Sequence, residues 1–147
     1  MATIESQTPW HLRGNWAPVQ NELTADNLSV EGSIPPQLEG VYIRTGPNPK
    51  SGYSPHWFMG DGMVHGVRLS QGKAEWYRNR FVQTPNITKT GIGATPDLGD
   101  LSNGSGNTHV VTHAGKILCL EEGHWPWKID GELNSLQPLL LTYHRGE

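Results

Sequence analysis

The sequence predicts an all-β fold, and three observations predict it. Of 147 residues, 18 are glycine and 11 are proline, a share of turn formers that suits short, tightly connected strands. Hydrophobic residues make up 35% and charged residues only 17%, too little charge for the solvated faces of a helical bundle. The apolar runs also alternate with period two: Met63, His65, Val67 and Leu69 share one face of an extended segment.

Taken in order, residues 1–14 are polar and irregular and read as an N-terminal arm. Thr24 is placed to cap a single helical turn over Ala25, Asp26 and Asn27. Leu28 to Pro35 alternates apolar and polar residues, a short edge strand stopped by Pro35-Pro36. Leu38 to Arg44 leads into Gly46-Pro47-Asn48-Pro49, where each proline removes a donor and excludes helix. Gly60-Asp61-Gly62 allows a sharp turn before the strand that starts at Met63. Ser70-Gln71-Gly72 then returns the chain through Trp76 and Phe81 as a hairpin. With Trp57, Phe58 and Tyr77, these aromatics form an apolar surface that needs a partner sheet. Pro85 to Gly106 is rich in Gly, Asn, Ser, Thr and Pro and reads as a long loop. A second hairpin pairs His109-Val110-Val111-Thr112 with Lys116 to Leu120 across Ala114-Gly115.

Several function classes fall away. The formal net charge of −3 leaves no basic patch to neutralise phosphates, so no nucleic-acid partner is expected. The loop glycines Gly91, Gly93, Gly104 and Gly106 do not make a G-x-G-x-x-G cradle for a nucleotide. Cys119 stands alone, which excludes an internal disulfide and fits a reducing compartment. Met1 to Trp10 lacks a basic region followed by an apolar run, and no window approaches a membrane span. A cytoplasmic location is therefore expected, with the sequons at Asn27, Asn86 and Asn103 as chance matches.

A long aromatic-rich motif runs from Tyr42-Ile43-Arg44-Thr45-Gly46-Pro47-Asn48-Pro49 to His56-Trp57-Phe58-Met59-Gly60-Asp61-Gly62-Met63-Val64-His65. It resembles the N-terminal signature of the carotenoid cleavage oxygenases, a family that includes the stilbene-cleaving oxygenases and the retinal-pigment-epithelium isomerase. Asn15 to Thr24, the second hairpin with Leu120-Glu121-Glu122-Gly123, and Ile129 to Leu133 extend the resemblance to about Leu136. Residues 137–147 no longer follow it and read as a divergent tail. The resemblance implies the N-terminal part of a seven-bladed β-propeller with Fe(2+) on its axis. It also implies O2 and a carotenoid, apocarotenoid or stilbene as substrate, with peripheral membrane contact. The family's four iron-binding histidines lie downstream of everything in this sequence, so a fragment inactive by itself is expected. The alternative is a non-catalytic β-module or remnant. A blade takes four strands and roughly 40–50 residues, so this chain reaches about two or three blades. An open arc of that kind exposes strand edges, and the isolated polypeptide is expected to be poorly soluble or only partly folded.

The resemblance gives Glu122 a role, as the Leu-x-Glu-Gly glutamate that hydrogen-bonds an iron-ligating imidazole from outside the coordination sphere. On a strand continued from Lys116, Glu122 shares a face with Leu118 and Leu120, and Glu121 falls with Ile117 and Cys119. A surface glutamate is the competing reading. The seven histidines give no ligand set: His56 and His65 read as hydrogen-bonded polar groups, and His109 and His113 straddle a strand without a third ligand. His11 and His124 have no motif around them, and the neighbours of His144 do not match the family's Thr-Ala-His-Pro segment. Asp61 reads as a turn residue, because Asp97 and Asp100 are far along the chain for a shared cation site. Cys119 reads as an inert core thiol, and Trp125 and Trp127 as core packing ahead of a substrate groove.

Overall fold

In the computed structural model, which describes residues 8–90 and 99–140, two four-stranded antiparallel sheets carry the fold. The first contains β1 (Leu23–Asp26), β2 (Gly40–Pro47), β3 (Gly62–Ser70) and β4 (Lys73–Phe81), ordered β1-β4-β3-β2. A short helix α1 (Pro85–Thr90) follows. The second sheet is a meander of β5 (His109–His113), β6 (Lys116–Leu120), β7 (Trp127–Ile129) and β8 (Ser135–Pro138), in that order. The described residues form no closed propeller.

Both hairpins form where the alternation and turn residues place them. Gln71 and Gly72 have φ of 49° and 76°, and Ala114 and Gly115 have φ of 48° and 70°. Two successive left-handed residues make the two-residue turn whose twist matches antiparallel strands. The segment preceding β2 corrects the sequence reading. Thr24 caps no helical turn; it lies in β1, whose residues pair with Trp76 to Asn79 of β4. Side chains recruit this strand: Leu23 N donates to Asn79 Oδ1 at 2.5 Å, and Arg80 reaches Leu23 O and Thr24 Oγ1. Residues 28–35 form no strand, because pairing with β4 ends at Leu28 N, which donates to Ala74 O. The expected 85–106 loop also contains α1, started by Thr84 O accepting from the N–H groups of Ile87 and Thr88.

The two sheets meet over one apolar cluster. Val64, Trp76 and Val82 pack with Cys119, Trp127, Ile129 and Leu133, with Val41, Ile43, Val110 and Ile117 at its margin. The face of β3 that meets the second sheet is therefore that of Val64 and Gly66, opposite to Met63, His65, Val67 and Leu69. Met63 is still buried, in a second cluster with Phe81 and Ile87. Of the aromatics expected to need a partner sheet, Trp76 and Phe81 are buried, but Phe58 remains 75% exposed. Trp57 instead contacts Trp10 and Trp16, each with ring centroids 4.7 Å away. These belong to two 3-10 turns, Trp10–Leu12 and Gly14–Trp16, so part of the expected arm is folded onto the body.

Cys119 is fully buried, and burial pushes its thiol up to about 12. The thiolate is the nucleophile, so iodoacetamide at about pH 8 is expected to leave Cys119 unmodified in the native protein. Labelling should follow unfolding in guanidinium. Rapid native labelling, read by mass spectrometry, would contradict this packing.

Candidate functional site

The segment 103–108 threads between the two sheets and sets the position of Glu122. Gly104, Ser105, Gly106 and Asn107 are all buried, although serine and asparagine are residue types mostly found exposed. Their polar groups are bonded accordingly. Ser105 O accepts from Gly62 N at 3.0 Å, and Gly106 O from Thr45 Oγ1 at 3.3 Å. Asn107 Nδ2 donates to Phe58 O and Gly60 O at 3.2 and 2.8 Å, which ties the exposed Phe58 loop to the start of β5. Asn103 Nδ2 donates to Asn86 Oδ1 at 3.0 Å. Asn86 is buried there and closed to a glycosyltransferase.

β6 ends at Leu120, and the two glutamates after it diverge. Glu122 is exposed, and its Oε2 accepts from Thr108 Oγ1 at 3.1 Å. Thr108 N donates to Leu120 O at 2.9 Å, one step beyond the β5–β6 ladder, and this brings hydroxyl and carboxylate together. Glu121 turns inward. Its Oε1 accepts from Gly123 N at 2.5 Å, and its Oε2 meets His124 Nδ1 at 2.5 Å and accepts from Ser105 N at 3.3 Å. The His124 side chain is 1% exposed. Alternation put Glu121 with Cys119 and Glu122 with the buried Leu118, but β6 ends before either, Glu122 is exposed, and nothing in the sequence reading paired Glu121 with His124. The signal was present in the Glu-x-x-His spacing.

The remaining candidates are dispersed. His65 Nδ1 lies 2.8 Å from Tyr77 OH on the outer face of the first sheet. His11 Nε2 is 3.1 Å from Ser54 O, and His56 Nδ1 accepts from Phe58 N. His109 and His113 are exposed at opposite ends of β5. Asp61 is buried, and its Oδ2 accepts from Lys50 N at 2.9 Å, holding the turn after Pro49. Burial raises its carboxyl above the ordinary range. Trp127 is a core residue; Trp125 is half-buried and donates its backbone N–H to Leu101 O. Asp97 and His144 lie outside the described residues. Among the described residues no three His, Cys, Asp or Glu side chains converge where a cation could be held. The iron site that the resemblance implies therefore does not fit this donor set by itself.

His65 offers a pH-dependent check on the sheet. Burial first, and then the positive Arg44 beside it, holds the imidazole below its ordinary 6.5. The fold prefers the neutral ring, so this contribution is present above that value and is lost as pH falls through it. The urea midpoint of the wild type should drop between about pH 7.5 and about pH 5.5 by more than that of His65→Asn. Equal drops would contradict a ring held neutral by the fold.

The profile of the family described as retinal pigment epithelial membrane protein matches residues 16–144. The chain is 46% identical over 142 residues to a carotenoid cleavage oxygenase of Mycobacterium tuberculosis, covering 91% of this chain and 28% of that one. It is 36% identical over 170 residues to carotenoid 9,10(9',10')-cleavage dioxygenase 1 of Arabidopsis thaliana, covering 90% and 31%. The crystal structure of a lignostilbene dioxygenase of Pseudomonas brassicacearum superposes with a TM-score of 0.76 at 29% identity, covering 90% and 31%. The chain thus spans under a third of the length of these relatives. Their names agree with the signature around Tyr42 and His65 and with the two antiparallel sheets, and the chain belongs to the retinal pigment epithelial membrane protein family, that of the carotenoid cleavage oxygenases.

Proposed function

We propose that this chain is the N-terminal part of an oxygenase that splits a conjugated C=C bond with O2, one oxygen atom going to each carbonyl product. The observation that carries this reading is the 46% identity to the mycobacterial oxygenase across nearly the whole chain. The relatives' names carry an oxygenase acting on a conjugated substrate: a carotenoid and a lignostilbene in two dioxygenases and, at 28% identity, isoeugenol in a monooxygenase of Pseudomonas putida, which by name adds only one oxygen atom. The substrate class is therefore a hydrophobic polyene or stilbene, and the exposed Phe58, in the loop that Asn107 ties to β5, offers it an apolar surface.

On this reading the two sheets are the first blades of a seven-bladed propeller, which fits their four-stranded antiparallel form. Fe(2+) is held by four histidines outside this segment, and residues 1–147 alone are inactive. Glu122 accepts a hydrogen bond from one ligating imidazole and fixes its ring angle, while Thr108 holds the carboxylate. The whole enzyme works in the cytoplasm and touches a membrane peripherally when its substrate is a carotenoid.

The test uses the native polypeptide that carries this chain, purified from its source cell. It is incubated in air with an apocarotenal and, separately, with a hydroxystilbene. Aldehyde products labelled from 18O2 are expected by mass spectrometry with at least one of them. Absence of any oxygen-dependent aldehyde, with no iron in the protein, would overturn the oxygenase reading in favour of a non-catalytic β-module.

A further inference from the structure

We propose that Glu121 is a positioning residue for Glu122, held in its working geometry by His124. The inference rests on the orienting role assigned to Glu122 above. Glu121 bonds both segments of the site: its carboxylate accepts from Ser105 N on the 103–108 segment and from Gly123 N just after Glu122. His124, 1% exposed, closes the arrangement from three residues away. The cluster is tight as well as bonded. A Cβ on Gly104 would fall 2.5 Å from His124 Cβ and 2.8 Å from Glu121 Oε2, so the 103–108 segment has no slack against it.

Glu122 itself has no such enclosure. It is exposed, past the end of β6, and is held through Thr108, the residue that ends the strapped segment. The backbones on either side of the Thr108–Glu122 hydrogen bond are thus tied by one largely enclosed carboxylate, that of Glu121. An exposed glutamate in a free turn samples several rotamers, and ordering it costs side-chain entropy. Fixing its backbone and its hydroxyl partner beforehand removes much of that cost at the moment it must orient another group.

Four variants of the full native polypeptide separate the possibilities: Glu122→Gln, Glu121→Ala, His124→Leu and His124→Asn. Asparagine keeps an N–H donor where Nδ1 stands, and leucine removes it. The readouts are kcat and KM for the substrate cleaved by the wild type, retained iron per chain, and hydrogen exchange at the Ser105 and Gly123 amides. Glu121→Ala and His124→Leu are expected to speed exchange at both amides and to lower kcat about tenfold with KM unchanged. His124→Asn should restore both towards wild type, and Glu121→Ala should cost nothing further in the Glu122→Gln background. Should Glu121→Ala not fold, the two His124 variants carry the same comparison. If Glu122→Gln lowers kcat or iron retention while Glu121→Ala and His124→Leu leave both at wild-type values, the positioning role fails and the role of Glu122 stands. Additive losses in the double variant also overturn it. If Glu122→Gln changes nothing, the role of Glu122 fails first, and this inference with it.

Discussion

Gly62→Ala is expected to shift the urea midpoint of the protein by more than any other single methyl group added to it. Gly62 opens β3 with backbone torsions that alanine tolerates, so the cost is purely steric. The new Cβ would lie 2.4 Å from Ser105 O and 2.7 Å from Gly106 O, both backbone atoms. Neither can rotate away. Separating the two chains would break the Gly62 N to Ser105 O bond and strain Thr45 Oγ1 to Gly106 O. Gly106 cannot yield easily, because it sits at φ 61° against Cys119 and Val82. Overpacking typically costs about 1–3 kcal/mol, and a lost buried hydrogen bond adds about 1–3 kcal/mol. That is a large part of the ~5–15 kcal/mol by which domains are stable. An unchanged midpoint would show that residues 103–108 do not lie against β3 as described.

Leu133→Ala is expected to cost about 2–5 kcal/mol. Leu133 is fully buried in the cluster between the sheets, yet its φ is 68°, a region that costs a leucine roughly 1 kcal/mol or more. The turn that imposes this conformation is built by Asp130, whose carboxylate accepts from Glu132 N and Asn134 N and whose O accepts from Leu133 N. The side chain fits because position 66 is glycine: a Cβ there would lie 3.0 Å from Leu133 Cδ1. The two positions should therefore couple. Gly66→Ala alone overpacks the cluster, whereas in the Leu133→Ala background it fills space left behind. The double variant should be more stable than the sum of the singles by about 0.5–3 kcal/mol. Strict additivity in denaturant titrations would mean that Leu133 does not pack on Gly66.

The hairpins were legible because their signals are local: a face of residues two apart in β3, a short apolar run in β6, and turn residues at Gln71-Gly72 and Ala114-Gly115. β1 was not, because its partners lie fifty or more residues away and Asn79 and Arg80 draw it into the sheet. The same logic explains α1, six residues whose first turn rests on Thr84 O. Alternation put Glu122 on the face of the buried Leu118, yet Glu122 is exposed, because alternation could not show that β6 stops at Leu120. Nor could it show that the buried partner of the site is His124, or that Thr108 holds Glu122. Those contacts join segments three and fourteen residues apart through a turn, which periodicity does not encode.

The most direct measurement of the central claim is the intact mass and metal content of the native polypeptide that carries these residues. The account predicts one species well above 16.2 kDa, containing these peptides and binding iron through histidines outside them. A native species of 16.2 kDa without iron would contradict it.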